Sequence, residues 1–366
     1  MTINRRQFML GASQAALAAW LLPACTAQKS EQWLVSTCND QQGQNMVAAI
    51  NSQGQIVSTV NLPARGHDSL ALPHKPGHAL VFARRPDRFA IEVDFINSEI
   101  VSHIQSQADS HFYGHGAFSK DNKYLYTTEN LYDKKRGLIV VRDAQTYQVL
   151  DRFDSGGIGP HELMLMPDGN TLVIANGGIE THPSQPRKKL NIKTMQPNLA
   201  YFDISTGKIL SSYVPPDNQL SIRHLTVSPK GVVYTGAQYQ GSRSSIQPLV
   251  FAHHGEDSLQ AFSASQTQWF KMQQYTASLL VKDGLLCVSC PRGSHLSFWG
   301  TATQEFVGQQ IFSDVSGVAY SNGNLLASSG KGLLKKLNHA NPITGPTSIS
   351  SLALKFDNHM TMIDAG

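Results

Sequence analysis

The stretch GPHELMLMPDGNTLVIANGG, Gly159 to Gly178, decides the fold. A histidine opens a short run of apolar alternation. A Pro-Asp-Gly turn interrupts it, and a second β-rich run ends in Asn and two glycines. Period-two alternation on both sides of such a turn predicts a pair of antiparallel strands. The pattern returns in YGHGAFSKDNKYLYTTEN, from Tyr113 to Asn130. It returns in IRHLTVSPKGVVYTGAQ, which opens on Arg223-His224 and turns at Ser228 to Gly231, and in RGHDSLALPHKPGHALVFARRP, where His67 opens the run and Pro73 to Gly77 make the turn. Two copies lack the histidine: YTASLLVKDGLLCVSCPRG from Tyr275 and DVSGVAYSNGNLLASSGKG from Asp314. A last copy, DNHMTMIDAG from Asp357, holds a single strand.

The starts of these copies are spaced by roughly 40 to 60 residues, the period of a propeller rather than of a helical array. Each copy therefore predicts a four-stranded blade, in an all-β protein. The count closes at seven. The lone strand after His359 matches a surplus at the other end, where QWLVSTC, NMVAAIN and QIVSTVNL supply three strands with no histidine start. Sharing one blade between N- and C-terminal strands closes a ring and removes free sheet edges. Two stacked sandwiches are the competing architecture, and the single-strand ending argues against them.

Composition agrees with one large β domain. The chain has 366 residues, is 41% hydrophobic and only 15% charged, and carries a formal charge of +4, of which Arg5 and Arg6 supply two. No basic run interleaved with aromatics is present, so nucleic acid is not an expected partner. The N-terminal NRRQFMLGASQAALAAWLLPAC reads as a secretory signal, too short and broken for a membrane span. Arg5-Arg6 followed by Gln7, Phe8 and Met9 resembles the twin-arginine export signal, which carries folded proteins. The expected division is a signal over 1–27 and a propeller over 28–366. LLPAC also resembles a lipobox, which would lipidate Cys25 and tether the protein to a membrane. The soluble periplasmic form and a monomer are the expectation. The cysteines Cys25, Cys38, Cys287 and Cys290 are too few for a disulfide framework. In LLCVSC, side chains three apart on a strand face opposite sides, which favours packed thiols over a disulfide or half a zinc site.

In a propeller the first strand of each blade lines the central channel, so His67, His115, His161, His224 and His359 are expected at one end of that channel. The second strand runs back antiparallel and ends beside them. Those ends carry Arg84, Arg85, Glu129, Asn130, Asn176, Gln238 and Arg292, a candidate polar cluster for a cofactor or ligand. The long connection after Asn176, with His182, starts at the same face, and long loops in compact domains are often functional. His74, His78, His103, His253, His254, His295 and His339 fall in turns or outer strands and are expected to be surface or packing residues.

The segments RGH, ARRP, FYGHGAFS, TEN, GIGPHEL, ANGGIETHP, SIRHL, SPRG and DNH resemble the bacterial domain-of-unknown-function family numbered 1513, over about residues 32 to 364. The resemblance implies an exported seven-bladed propeller of the YVTN and lactonase kind. It also implies an accessory role in periplasmic iron handling beside imelysin-like and di-haem oxidoreductase-like proteins. The two cysteines of CVSCPRG depart from the family pattern.

Several neutral imidazoles from separate blades are suited to enclose an iron or copper ion. Asp68 and Glu162, next to two of the histidines, should point away from the channel and are better partners of neighbouring blades than direct ligands. Histidines that only bridge blades by hydrogen bonds are the plain alternative. A lactonase-like hydrolase, with Glu129, Asn176 or Glu162 on a divalent cation, is the competing enzyme reading, and a scaffold with no channel chemistry is a third. Arg84 and Arg85 suit a carboxylate or phosphate, or a rim salt bridge. No Gly-x-Ser-x-Gly elbow, phosphate loop or Cys-x-x-Cys-His haem motif occurs. Free imidazole protonates below about pH 6, so metal affinity is expected to fall there.

Overall fold

The computed structural model describes residues 31–185 and 188–365. Arg5, Arg6, Cys25 and the expected signal over 1–27 lie outside the described residues. Seven antiparallel sheets follow one another along the chain. The first blade holds β1 (Gln32–Asp40), β2 (Asn45–Ile50) and β3 (Ile56–Asn61). The second holds β4 (Gly66–Ala71), β5 (His78–Ala83), β6 (Phe89–Asp94) and β7 (Glu99–Gln105). The third is β8 (Ser110–Phe118), β9 (Tyr124–Leu131), β10 (Arg136–Asp143) and β11 (Val149–Asp154). The fourth is β12 (Pro160–Leu165), β13 (Thr171–Asn176), β14 (Asn198–Asp203) and β15 (Lys208–Tyr213). The fifth is β16 (Leu220–Val227), β17 (Val233–Tyr239), β18 (Val250–His253) and β19 (Gln260–Ala261). A short helix, α1 (Gln266–Lys271), leads to the sixth, β20 (Leu279–Lys282), β21 (Leu285–Cys290), β22 (His295–Gly300) and β23 (Phe306–Ile311). The seventh is β24 (Val315–Ser321), β25 (Asn324–Ser329), β26 (Leu333–Asn338) and β27 (Thr347–Ser351). Finally β28 (Leu354–Phe356) and β29 (Thr361–Asp364) return to the first blade.

The turns explain the repeat. Gly169 and Gly231 sit at φ +73° and +81°, where a residue with a Cβ is strained. Their N–H groups donate back to Met166 and Ser228. Between third and fourth strands a second device recurs. Asp94, Asp143 and Asp203 each accept from backbone N–H groups two and three residues on, as Asx turns do.

The core lies between the faces of neighbouring blades. One cluster joins Val173, Leu220, Val250, Leu286 and Trp299 across blades four to six. Helix α1, with its Ser265–Gln268 capping box, adds Trp269, stacked on Trp299 at 5.6 Å. Outer strands such as β7 alternate between exposed and covered residues, whereas β5, β6 and β13 are almost wholly buried. Cys287 and Cys290 are buried free thiols in two different core clusters, one on each face of β21, as their spacing predicts.

Ring closure differs in one detail from the single strand expected after His359. Both β28 and β29 pair with β1, and residues 357–360 leave the ladder between them. Ser36 and Thr37 of β1 face this break. The Ser36 hydroxyl donates to the His359 carbonyl at 2.7 Å, and the Asp357 N–H donates to the Thr37 carbonyl. The break is what releases His359 from the sheet.

A ring of five histidines in the channel

Four of the five channel histidines sit where their blade's inner pairing slips, and His359 sits in the gap between β28 and β29. The register shifts between Gly66 and Ser69, Phe112 and Gly116, Pro160 and Glu162, and Ile222 and His224. Extra residues in one strand have no partner in the other, so their side chains are re-aimed. Hydroxyls hold the bulged backbone. Thr128 donates to the His115 carbonyl, Thr235 to that of His224, and Thr37 to that of His67. Gly114, at φ +107°, packs against His67, and a Cβ there would run into the imidazole.

The five imidazoles meet. Ring centroids are 4.5 Å apart for His161–His224, 4.7 Å for His115–His359, and 4.8 Å for both His67–His359 and His224–His359. All five residues are at least nine-tenths buried. Two groups of three share His115: His67, His115 and His161, and His115, His224 and His359. Within each, one ring nitrogen from every residue lies within 4.8 Å of the others. Nitrogens around a tetrahedral ion stand about 3.4 Å apart at ~2.1 Å metal–nitrogen bonds, so the widest separations need to contract by up to about 1.4 Å to close on one.

Hydrogen bonds fix the tautomers. His115 Nδ1 donates to Asp68 Oδ2 at 2.9 Å, and His224 Nδ1 to Glu162 Oε2 at 3.2 Å. Both bonds cross between blades, as expected for Asp68 and Glu162. The Ser278 hydroxyl donates to the Asn358 carbonyl and accepts from His359 Nδ1 at 3.3 Å. In all three residues the lone pair is thereby left on Nε2. The His115 and His359 Nε2 atoms, and Nδ1 of His67 and His161, are buried with no hydrogen-bond partner. An unsatisfied buried polar group costs about 1–3 kcal/mol, so four in one cluster call for an explanation.

The ring separates two cavities. One, of about 470 Å³, is lined by His67, His161 and His224 together with Arg65, Arg84, Arg85, Arg223, Arg292 and Lys189. The other, of about 350 Å³, holds His359, Asp68 and Glu162 among mainly apolar residues. Arg84, Arg85, Gln238 and Arg292 thus stand beside the histidines, as their strand ends predict. Glu129, Asn130 and Asn176 do not. Glu129 is buried against Arg142 at 2.6 Å and Ser110 at 3.1 Å. Asn130 accepts from the Gly159 N–H, and Asn176 is held by Ser155 and Asn198. Their strand ends reach the right level, but their polar atoms tie strands and loops together. His182 bonds to Asp133 instead of covering the mouth, and the same connection sends Lys189 there. Of the histidines expected to serve packing, His253 accepts from the Tyr201 hydroxyl and His295 donates to the Gly293 carbonyl. Sequence reasoning passed over Arg223, Lys189, Tyr113 and Tyr275, all at the mouth, and the buried His111.

Burial sets the charge state. It holds His67 down to about 4 against the pull of Asp357, with His115 adding to the effect. Burial and neighbouring cations hold His161, His224 and His359 well below the usual imidazole value. For His115, burial is outweighed by Glu162 and the hydrogen-bonded Asp68, which raise it. The fall in metal affinity expected below about pH 6 therefore moves to lower pH for four of the five. A histidine that stays neutral when folded but takes a proton when unfolded loses stability for the fold as pH drops from the unfolded value to the folded one. The metal-free protein should have a level melting temperature between about pH 7 and 8 and lose stability from about pH 6.5 to 4, with His67 alone contributing about 3 kcal/mol. His115 works in the opposite direction and is outnumbered. Thermal melts across this range check the sign, and a flat or rising profile towards acid contradicts it.

The fold and this site define a class: a seven-bladed propeller whose axial channel is plugged by inward-facing imidazoles beneath a basic mouth. The chain belongs to the DUF1513 family, described as a protein of unknown function, whose sequence model matches residues 60–363. No protein of curated function matches it significantly. Among solved structures it is similar to hydrazine synthase of Kuenenia stuttgartiensis. That likeness has a TM-score of 0.62 at 14% identity over 87% of this chain and 93% of the other. At that identity it concerns the fold alone.

Proposed function

We propose that this protein is exported to the periplasm through the Arg5-Arg6 signal and there binds a transition metal, iron or copper, as an accessory to iron acquisition. Imelysin-like and di-haem oxidoreductase-like proteins are its proposed partners. One observation carries the reading: buried imidazoles from separate blades converge, four of them keep a ring nitrogen with no hydrogen-bond partner, and carboxylates on the preceding blades hold His115 and His224 from behind. Carboxylate–histidine pairs of this kind orient metal ligands and raise their basicity. A ring built only to tie blades together would satisfy these nitrogens. The hydrolase reading loses Glu129, which is committed to Arg142, and Asn176, which is committed to Ser155 and Asn198. The test is elemental analysis of protein recovered from the periplasmic fraction and dialysed without chelator. Near-stoichiometric iron or copper is expected. Recovery from the cytosol, or protein free of transition metal that also takes up none on titration, overturns the proposal.

A further inference from the structure

The mouth above the ring holds more positive charge than the fold needs. Arg65 and Arg84 share Asp357, at 2.6 and 3.5 Å. Arg85, Arg223 and Arg292 have no carboxylate within 4 Å among the described residues, and Lys189 bonds only to Gln240. Arg85 lies over Tyr113 and Arg292 over Tyr275, so aromatic faces hold their guanidinium groups at the wall. Arg223 is 7% exposed, and its Nε has no partner. It is the extra residue of the bulge in β16, which turns both Arg223 and His224 into the cavity. Burying an unpaired guanidinium among like charges is unfavourable, and natural proteins keep such an arrangement where a ligand supplies the counter-charge.

We propose that this mouth binds a small polycarboxylate, a di- or tricarboxylate anion, through Arg85, Arg223, Arg292 and Lys189. The cavity, about 470 Å³, is of small-molecule size. Its cations are carried by three separate blades and one loop, which suits several carboxylates on one skeleton better than the single centre of a phosphate. Planar guanidinium groups match carboxylates by paired hydrogen bonds. The anion site stands on the mouth alone. Its coupling to the imidazoles rests on the metal-binding reading: a carboxylate bound here would take coordination positions that the histidines leave open, so that the ion is held as a carboxylate complex.

The test uses metal-free full-length protein, titrated calorimetrically with propane-1,2,3-tricarboxylate, inorganic phosphate and acetate. The tricarboxylate should bind saturably, at least about 10-fold more tightly than phosphate or acetate, and weaken as salt rises. Arg223→Met should lose at least about 10-fold in affinity. It should also raise the melting temperature of the ligand-free protein by about 2 °C or more, because it removes a repelled buried charge. A structural arginine would lower it. Arg85→Gln with Arg292→Gln, at the less buried wall, gives the same loss of affinity without touching the core. No saturable tricarboxylate binding, tighter binding of phosphate, or unchanged affinity in both variants overturns the proposal. Because no metal is present, the outcome is independent of whether the histidine ring binds one.

Discussion

Deletion of residues 357–366 should lower the melting temperature by about 10 °C or more, or leave the chain aggregated. The deletion removes β29, which pairs with β1 from Gln32↔Asp364 to Val35↔Thr361. It also removes the buried side chains of Met360 and Ile363, and Asp357, which holds Arg65 and Arg84. Each buried aliphatic side chain contributes about 1.5–3 kcal/mol, so with the lost ladder the total is on the order of 5 kcal/mol. That is comparable with the whole stability of a typical domain, and each kcal/mol moves the midpoint of a large domain by about 2 °C. The bared edge of β1 is an aggregation template as well. Thermal melts and size-exclusion chromatography read both effects. An unchanged midpoint in a monomeric protein would show that closure does not depend on this strand.

The second large effect concerns metal binding. His161→Gln combined with His224→Gln takes one ligand from each of the two histidine triads, leaving neither intact. Affinity for the metal should fall at least about 100-fold, since partners one step removed from a metal already contribute 10- to 100-fold. Gln is neutral, as both imidazoles are when buried, so the fold should persist, with a midpoint within a few degrees of wild type. Asp68→Asn, which keeps a hydrogen-bond acceptor for His115 but loses the charge, should give an intermediate loss of about 10-fold. Wild-type protein that binds iron, copper and zinc no more tightly than the double variant would end the metal reading.

Much of the architecture was legible because its signals are local. Alternation of apolar residues and turns such as Met166 to Gly169 repeat without reference to distant contacts, and counting them gives seven. The aspartate turns at Asp94, Asp143 and Asp203 are a further local signal of the same kind. The five histidines were legible because all occupy one place in the repeat. What strict alternation misled was the neighbouring residue. It sends Arg223 away from His224, whereas the bulge between Ile222 and His224 brings both inward. Glu129 failed for the opposite reason. Its position is right, but Arg142, thirteen residues on in the adjacent strand, claims its carboxylate. A period-two reading has no access to such pairings. Lys189 comes from an irregular connection, where no periodicity exists to place it.

The split inner strand also governs the order of assembly. Ser36 and His359 are 323 residues apart, yet bonded directly. A growing chain can fold six blades and still present β1 without its partner, because the segment that completes the first blade follows all the others in the chain. Closing so long a loop is slow relative to local hairpin formation. The segment that shuts the circle also delivers the fifth imidazole and the carboxylate beneath Arg65. A chain that has folded its other six blades but lacks this segment therefore has four of the histidines on an unsealed scaffold. The triad of His115, His224 and His359 is therefore assembled only once residue 359 has been made and the ring has shut, whereas His67, His115 and His161 come from blades formed earlier.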